Sequence, residues 1–120
     1  MRKIFFIIIC LFLIVGCSSE TVDDGKVTYM EAKEKIINEG AVLIDVRNEN
    51  EYNQSHIEGS VLLPLGTINE ESVEAIIESK DSVIIVYCQS GNRSNQAVGL
   101  LNNLGYTKVY DLGAMSNWEE

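Results

Sequence analysis

The 120-residue chain is poor in cysteine and in basic residues, and each shortage argues against a class of protein. Its three cysteines, Cys10, Cys17 and Cys88, stand in three different sequence contexts, which argues against a disulfide framework. Nine Lys and Arg against 18 Asp and Glu give a net charge of −9. That charge argues against nucleic-acid binding and against polybasic attachment to anionic lipid. The length indicates a single domain, and no internal repeat or low-complexity tract contradicts this.

A long hydrophobic run is also missing. The N-terminal sequence Met1-Arg2-Lys3 precedes an apolar run of about a dozen residues, shorter than the roughly 20 needed to span a membrane and typical of a signal peptide. The run ends in Leu13-Ile14-Val15-Gly16-Cys17, which resembles the lipobox of bacterial lipoproteins. The resemblance implies acylation of Cys17, for example by palmitate, and an extracytoplasmic protein anchored by lipid to a bacterial membrane. An ordinary signal peptide or an uncleaved anchor is the alternative.

The predicted organisation is a signal peptide over 1–16, an acylated polar tether over 17–26 and a folded domain over 27–120. Thr28 and Glu31 have capping-box spacing, which predicts a helix that ends at Gly40. The face of this helix predicted to point inward carries four apolar side chains: Met30, Ala32, Ile36 and Ile37.

Apolar strand patterns alternate with helical patterns along the rest of the domain. Strands are predicted over 41–47, 61–63, 83–87 and near 108–110, and helices over 48–54, 69–80 and 94–104. This alternation predicts an α/β fold whose mostly parallel sheet is covered on both faces. Ligands of such sheets gather at the carboxyl ends of the strands, where Asp45 and Cys88 both fall.

The segment after the strand at 83–87 is the candidate active site. Cys88 ends a buried strand and is followed by a polar loop in which Gly91 can adopt a positive φ. Backbone N–H groups and the N-terminus of the next helix converge on such a loop, and they favour an anion such as a thiolate. A helix N-terminus or a nearby cation also lowers the pKa of a thiol.

The sequence Cys88-Gln89-Ser90-Gly91-Asn92-Arg93-Ser94 resembles the active-site loop of the rhodanese family of sulfurtransferases. Leu43-Ile44-Asp45-Val46-Arg47 and His56-Ile57-Glu58-Gly59-Ser60 are similar to the family's first signature, and 105–118 is similar to its closing segment. The resemblance implies one rhodanese-like domain with a five-stranded, mostly parallel sheet flanked by helices on both faces. One departure is that Arg93 is the only cation of the loop.

The resemblance implies that Cys88 attacks the outer sulfur of a thiosulfate-like or persulfide donor, holds it as a persulfide and passes it to a thiol or cyanide. The residues it assigns to substrate binding are Gln89, Ser90, Gly91, Asn92, Arg93 and Ser94. It requires no metal and no organic cofactor. The expected partners are a small sulfur donor, or a protein persulfide or thiol, and the membrane reached through the N-terminal lipid. We expect a monomer that does not bind nucleic acid.

Four polar residues outside the loop are interpreted as structural support: Asp45, Arg47, Glu51 and His56. The first three are expected to form ion pairs and caps behind the loop, and His56 to be a satisfied structural histidine rather than a general base. Arg93 has two interpretations, contact with an anionic substrate or pairing with an acid. Cys88 has the alternative of a buried strand-end thiol without chemistry.

Three other functions stay open. Cysteine phosphatases place five residues between Cys and Arg, whereas Gln89 to Asn92 provides four and leaves a smaller site. The acidic charge and the single loop cation favour a weakly active or non-catalytic persulfide carrier, or a partner-binding module, over an efficient thiosulfate enzyme. A redox role requires a reductant or resolving thiol from elsewhere.

Overall fold

A computed structural model of the protein describes residues 25–119. The α-helices and strands in this range are α1 (Tyr29–Glu39), β1 (Val42–Asp45), α2 (Glu49–Gln54), β2 (Val61–Leu62), α3 (Glu70–Glu74), β3 (Val83–Cys88), α4 (Asn92–Asn103) and β4 (Lys108–Ala114). The predicted signal peptide, Cys17 and the tether up to residue 24 lie outside the described residues. Among residues 25–119, no helix is both long and apolar enough to cross a membrane.

The four strands form one sheet in the order β2-β1-β3-β4, and every neighbouring pair is parallel. The predicted α/β fold with a parallel sheet is therefore confirmed. The described residues contain four strands, so the fifth strand is not confirmed. Lys26 forms an isolated parallel bridge with Asp111 at the outer edge of β4, where a fifth strand would lie.

Helices cover both faces of the sheet, as the strand patterns predicted. One apolar cluster contains Val73 and Ala97 and lies between the sheet and α3 and α4. The other contains Ala32 and lies between the sheet and α1. Successive strand residues point to opposite faces, so Cys88 belongs to the α4 side and its neighbour Tyr87 to the α1 side.

Capping residues set the beginnings of α1 and α2. The predicted capping box is present in α1, where Thr28 and Glu31 exchange side-chain to backbone hydrogen bonds. Asn48 and Glu51 form the same box at the start of α2. The predicted end of α1 is also confirmed, because Gly40 caps the helix in the left-handed region with φ 68.

The inward face predicted for α1 is wrong at two positions. Met30 and Ile37 are 72% and 71% exposed. The helix packs through Ala32 and Ile36, which lie four residues apart on one face. Because of the 3.6-residue repeat, Met30 and Ile37 fall on the opposite side of the helix.

The helix predicted over 69–80 is shorter than expected, since α3 ends at Glu74. Ile76 and Ile77 both donate their backbone N–H groups to the carbonyl of Val73, which tightens the last turn and ends the regular helix. The apolar positions still point inward, because Val73 and Ile77 are both buried. The sequence pattern therefore predicted a helix here but not its length.

Candidate active site

The candidate site lies where β1 and β3 end at one edge of the sheet. Asp45 is the last residue of β1 and Cys88 the last of β3. The Cys88 loop, Gln89–Gly91, leads directly from β3 into α4. Gly91 immediately precedes the first residue of α4. The φ angle of Gly91 is 103°, in the left-handed region that favours glycine. This sharp reversal brings the N-terminus of α4 over the side chain of Cys88.

Two backbone N–H groups donate to the sulfur of Cys88 and form what we call the amide cradle. The Gly91 nitrogen lies 3.0 Å from Sγ and the Ser94 nitrogen 3.3 Å from it. The Ser94 hydroxyl donates to the Gly91 carbonyl at 3.1 Å, which holds the first turn in place. Both amides belong to the unsatisfied N–H groups of a helix N-terminus, where the helix dipole also favours negative charge.

The amide cradle favours the ionised form of Cys88. Burial raises the pKa of the thiol, but the hydrogen bonds from Ser94 and Gly91, with a smaller effect of the neighbouring Ser90 N–H group, outweigh burial. The pKa therefore lies below the ordinary thiol value. The thiolate is the nucleophilic form of cysteine. The loop geometry thus supplies what a cysteine nucleophile requires.

The thiol is covered by protein. Cys88 has 0% exposure, whereas Gln89 and Ser90 in the loop above it are exposed. A donor can therefore contact Sγ only when loop atoms move aside. A persulfide would place its outer sulfur about 2 Å further out.

Arg93 is paired with an acid. Its two terminal nitrogens lie 2.8 and 3.0 Å from the carboxylate oxygens of Glu51, which joins α4 to α2. The hydrogen bond from Arg93 lowers the pKa of Glu51 to about 2, and the bond to Glu51 raises the pKa of Arg93. Of the two interpretations of Arg93, the structure shows pairing with an acid. Its contact with an anionic substrate stays a prediction.

A buried hydrogen-bond network lies behind the loop. Asp45 and Arg47 form an ion pair of 2.8 Å in which both side chains are almost completely covered. Asp45 also accepts from the Tyr87 hydroxyl at 2.8 Å. Arg47 donates to the Ser55 carbonyl at 2.6 Å and to Gln89 Oε1 at 3.1 Å. The network therefore fixes one side chain of the Cys88 loop to the end of β1.

His56 and Asn92 make their own local contacts. The His56 ring stacks on the Tyr52 ring at 3.7 Å between centroids, and Nδ1 lies 2.8 Å from the Tyr52 carbonyl oxygen. Asn92 accepts a hydrogen bond of 2.8 Å from Gln96. Within residues 25–119, no three His, Cys, Asp or Glu side chains are grouped to hold a metal ion.

The sequence reasoning missed Tyr87. Its hydroxyl binds Asp45, lies 3.0 Å from the Ser60 hydroxyl and accepts from the Ile57 N–H at 3.0 Å. Burial raises the pKa of Tyr87 to about 12. The available signal was a single aromatic residue with a polar tip at the end of an aliphatic strand.

Comparison with known proteins gives a consistent result. The Rhodanese-like domain family matches residues 28–120. The thiosulfate sulfurtransferase PspE of Escherichia coli K12 is 36% identical over 74 residues, which cover 62% of this chain and 70% of that protein. A solved structure described as rhodanese with anions from E. coli has a TM-score of 0.59 and 34% identity, and the match covers 64% of this chain and 89% of that one.

A second kind of relative is much longer. A tRNA uridine(34) hydroxylase of Enterobacter sp. strain 638 is 37% identical over 75 residues, but the match covers 60% of this chain and only 22% of that protein. The parallel sheet, the cysteine at the end of β3 and the match over nearly all of the described residues lead to one conclusion: the chain belongs to the rhodanese-like domain family.

Proposed function

We propose that the protein is a sulfurtransferase that carries one sulfur atom as a persulfide on Cys88. The observation that carries this proposal is the amide cradle, in which the Gly91 and Ser94 N–H groups bind Sγ and lower the thiol pKa. The relative PspE is a thiosulfate sulfurtransferase, and the match covers 70% of its length. Only 22% of the tRNA hydroxylase is covered, so we transfer nothing of its reaction.

The reaction has two balanced steps. The Cys88 thiolate attacks the outer sulfur of thiosulfate, the S–S bond of the donor breaks, and sulfite leaves with the electron pair. An acceptor thiolate or cyanide then attacks the outer sulfur of the persulfide, and the electron pair of the Cys–S bond returns to Sγ as thiolate. Amide donors suit both states, because they can stabilise negative charge on Sγ and on the outer sulfur.

We propose that thiosulfate is a weak donor. Arg93, the only cation of residues 88–94, has its charge balanced by Glu51, and the chain carries a net charge of −9. Both features disfavour a small anion. An uncharged sulfane-sulfur donor, or a persulfide carried by a protein partner, avoids this repulsion.

A second candidate is a persulfide carrier with little turnover. The complete burial of Cys88 favours it, because a covered sulfur exchanges slowly with free small molecules. Turnover with a protein-borne donor but not with small donors would support this carrier. The phosphatase alternative has no comparable support, since four residues separate Cys88 and Arg93.

We further propose that the mature protein is a monomer held by lipid on Cys17 at the extracytoplasmic side of a bacterial membrane. The support is the sequence alone, in which residues 1–16 have the pattern of a signal peptide and 17–26 that of a tether before the domain at 27–120. Mass spectrometry of the mature N-terminus tests this proposal. An acylated residue 17 is expected, and an unmodified one would contradict it.

Mass spectrometry of the Cys88 peptide tests the sulfur chemistry. After incubation with thiosulfate we expect the mass gain of one sulfur atom, which is lost when a thiol is added. The Cys88→Ser protein should show neither the gain nor thiosulfate:cyanide turnover. Unchanged turnover in that variant would refute the assignment.

A further inference from the structure

We propose that a cleft beside the Cys88 loop binds the acceptor thiol through a positively charged N–H group, with the carboxylate of Asp111 as the hydrogen-bond acceptor. This inference rests on the proposed sulfurtransferase function and adds the chemical class of the acceptor. The acceptor class is an aminothiol or a thiol next to a cationic group, rather than an anionic thiol.

The cleft has a volume of about 490 Å³. Ser90 and Gly91 of the Cys88 loop line one side of it, and residues 111–114 of β4 line the other. We call it the β4 cleft. A molecule in this cleft lies against the same loop whose amides hold the sulfur of Cys88.

Asp111 is a buried acceptor that needs a donor. The residue has 6% exposure, and its Oδ1 atom has no hydrogen-bond partner within the described part of the chain. Because Oδ1 is covered, a ligand in the cleft reaches it only when neighbouring atoms move aside. A buried and unpaired carboxylate oxygen is costly, and native proteins rarely leave one without a partner. An ammonium or guanidinium group of a ligand is the complementary donor, because charge-assisted hydrogen bonds are the strongest of this kind.

The strand register brings Asp111 within reach of the sulfur. Asp111 lies opposite Val86, which precedes Cys88 by two residues. Two residues correspond to about 6.6 Å along the strand, and neighbouring strands lie about 4.8 Å apart. Because Val86 and Cys88 point to the same face, the side chain opposite Val86 lies on the face of Cys88. An acceptor with a few bonds between sulfur and nitrogen can span this separation.

The charge of the whole chain favours a cation. The net charge is −9, and the guanidinium of Arg93 is balanced by Glu51. Lys26 also lines the β4 cleft, so an anionic acceptor must be part of any test. In the transfer step the acceptor thiolate attacks the outer sulfur of the Cys88 persulfide, the S–S bond breaks, and Sγ leaves as thiolate. No oxidant or reductant is consumed.

Single-turnover transfer to three thiols of similar length tests the proposal. Protein loaded with sulfur from thiosulfate and freed of excess donor is mixed with cysteamine, mercaptoethanol or mercaptopropionate. For each thiol the rate constant of the wild type is divided by that of Asp111→Asn, so the intrinsic reactivity of the thiol cancels. We expect a ratio of about ten or more for cysteamine, about one for mercaptoethanol and below one for mercaptopropionate.

Asp81→Asn is the matched control. It removes the same charge from an exposed residue that lines a separate cleft at the opposite, amino-terminal edge of the sheet. The rate constant of the wild type divided by that of Asp81→Asn should be about one for each of the three thiols. Equal ratios for the three thiols in Asp111→Asn, or the same pattern in Asp81→Asn, would overturn the inference.

Two further observations keep the outcomes distinct. If Asp111→Asn does not fold, inhibition of the wild type replaces it: ethylammonium should inhibit transfer to cysteamine, ethanol should not, and equal effects would overturn the inference.

If the wild type takes up no sulfur, or passes it to none of the three thiols, the proposed function itself fails. Uptake and transfer without dependence on Asp111 overturn only the role of the β4 cleft.

Discussion

The sulfur of Cys88 is stabilised by groups that do not titrate. Backbone amides of Gly91 and Ser94 keep their protons at every accessible pH, so the thiolate needs no histidine beside it. His56, the only histidine of the chain, is engaged with Tyr52 instead. Activity should therefore depend on the ionisation of Cys88 and not on a separate general base.

Ser94→Ala should raise the pKa of Cys88. The folded-state pKa is depressed, so the thiolate fraction rises with pH through a midpoint below the ordinary thiol value. Ser94 is the residue that lowers it most. The variant keeps the Ser94 amide but loses the hydroxyl that holds the first turn of α4 through the Gly91 carbonyl. We expect the acid limb of the pH profile of kcat/KM to move to higher pH.

Ser116→Ala is the control for this measurement, because it removes an exposed serine hydroxyl outside the amide cradle. Its pH profile should match the wild type. An unmoved acid limb in Ser94→Ala would mean that the hydroxyl contributes nothing to the thiolate.

At the scale of the elements, Glu51 and Arg93 connect α2 to α4. The pairing has two consequences that can be separated. It links the short helix after β1 to the helix that carries the amide cradle. It also withdraws the charge of Arg93 from any anion in the loop.

Glu51→Gln should raise the affinity for thiosulfate by releasing Arg93. We expect the KM for thiosulfate to fall and the KM for an uncharged donor to change little. Steady-state kinetics with each donor measure the two values. Glu49→Gln removes the same charge from an exposed residue of α2 and should leave both KM values unchanged. Equal KM values for thiosulfate in Glu51→Gln and the wild type would contradict the interpretation of the pair.

The same substitution should alter stability in a defined pH window. The folded-state pKa of Glu51 is about 2 and its ordinary value is 4.5. A carboxyl group whose pKa is lower in the folded state stabilises the fold at pH values above its unfolded-state pKa. That stabilisation is lost as the pH falls through the folded-state pKa. The wild type should exceed Glu51→Gln by about 1 kcal/mol at neutral pH, after allowance for solvent screening of this partly exposed pair. Urea unfolding should show the difference closing between pH 4.5 and about 2.

At the scale of the whole molecule, the network around Tyr87 joins separate parts of the domain. Its hydroxyl connects β3 to Asp45 at the end of β1 and to the Ile57 N–H in the connection before β2. These groups are buried, so each depends on its partner within the protein.

Tyr87→Phe should destabilise the fold by about 1 to 3 kcal/mol, because it leaves the buried Ile57 N–H without an acceptor and removes one donor from Asp45. The expected result in urea is a lower midpoint with an unchanged slope. Tyr110→Phe is the control, since Tyr110 is half-buried on the same side of the sheet. An equal and small effect of the two substitutions would contradict a supporting role for the Tyr87 hydroxyl.

Local patterns predicted much of this molecule. Apolar strand patterns that alternate with helical patterns indicated the parallel sheet. The capping box of Thr28 and Glu31 indicated the start of α1, and Gly40 indicated its end. The partners of Arg93 and Tyr87 could not be predicted in this way. Arg93 lies 42 positions from Glu51, and Tyr87 lies 42 positions from Asp45, so these contacts depend on strand register and helix placement. The lack of a hydrogen-bond partner for Asp111 Oδ1 among residues 25–119 also depends on the fold and could not be predicted from the local sequence.

The most direct test of the central claim is a titration of the Cys88 thiolate. Thiolate absorbance in the ultraviolet is followed against pH for the wild type and for Cys88→Ser, and the difference isolates this sulfur from any other cysteine. The amide cradle predicts a midpoint below the ordinary thiol pKa of about 8.5. A midpoint at or above that value would show that burial outweighs the amides, and the nucleophilic role assigned to Cys88 would be contradicted.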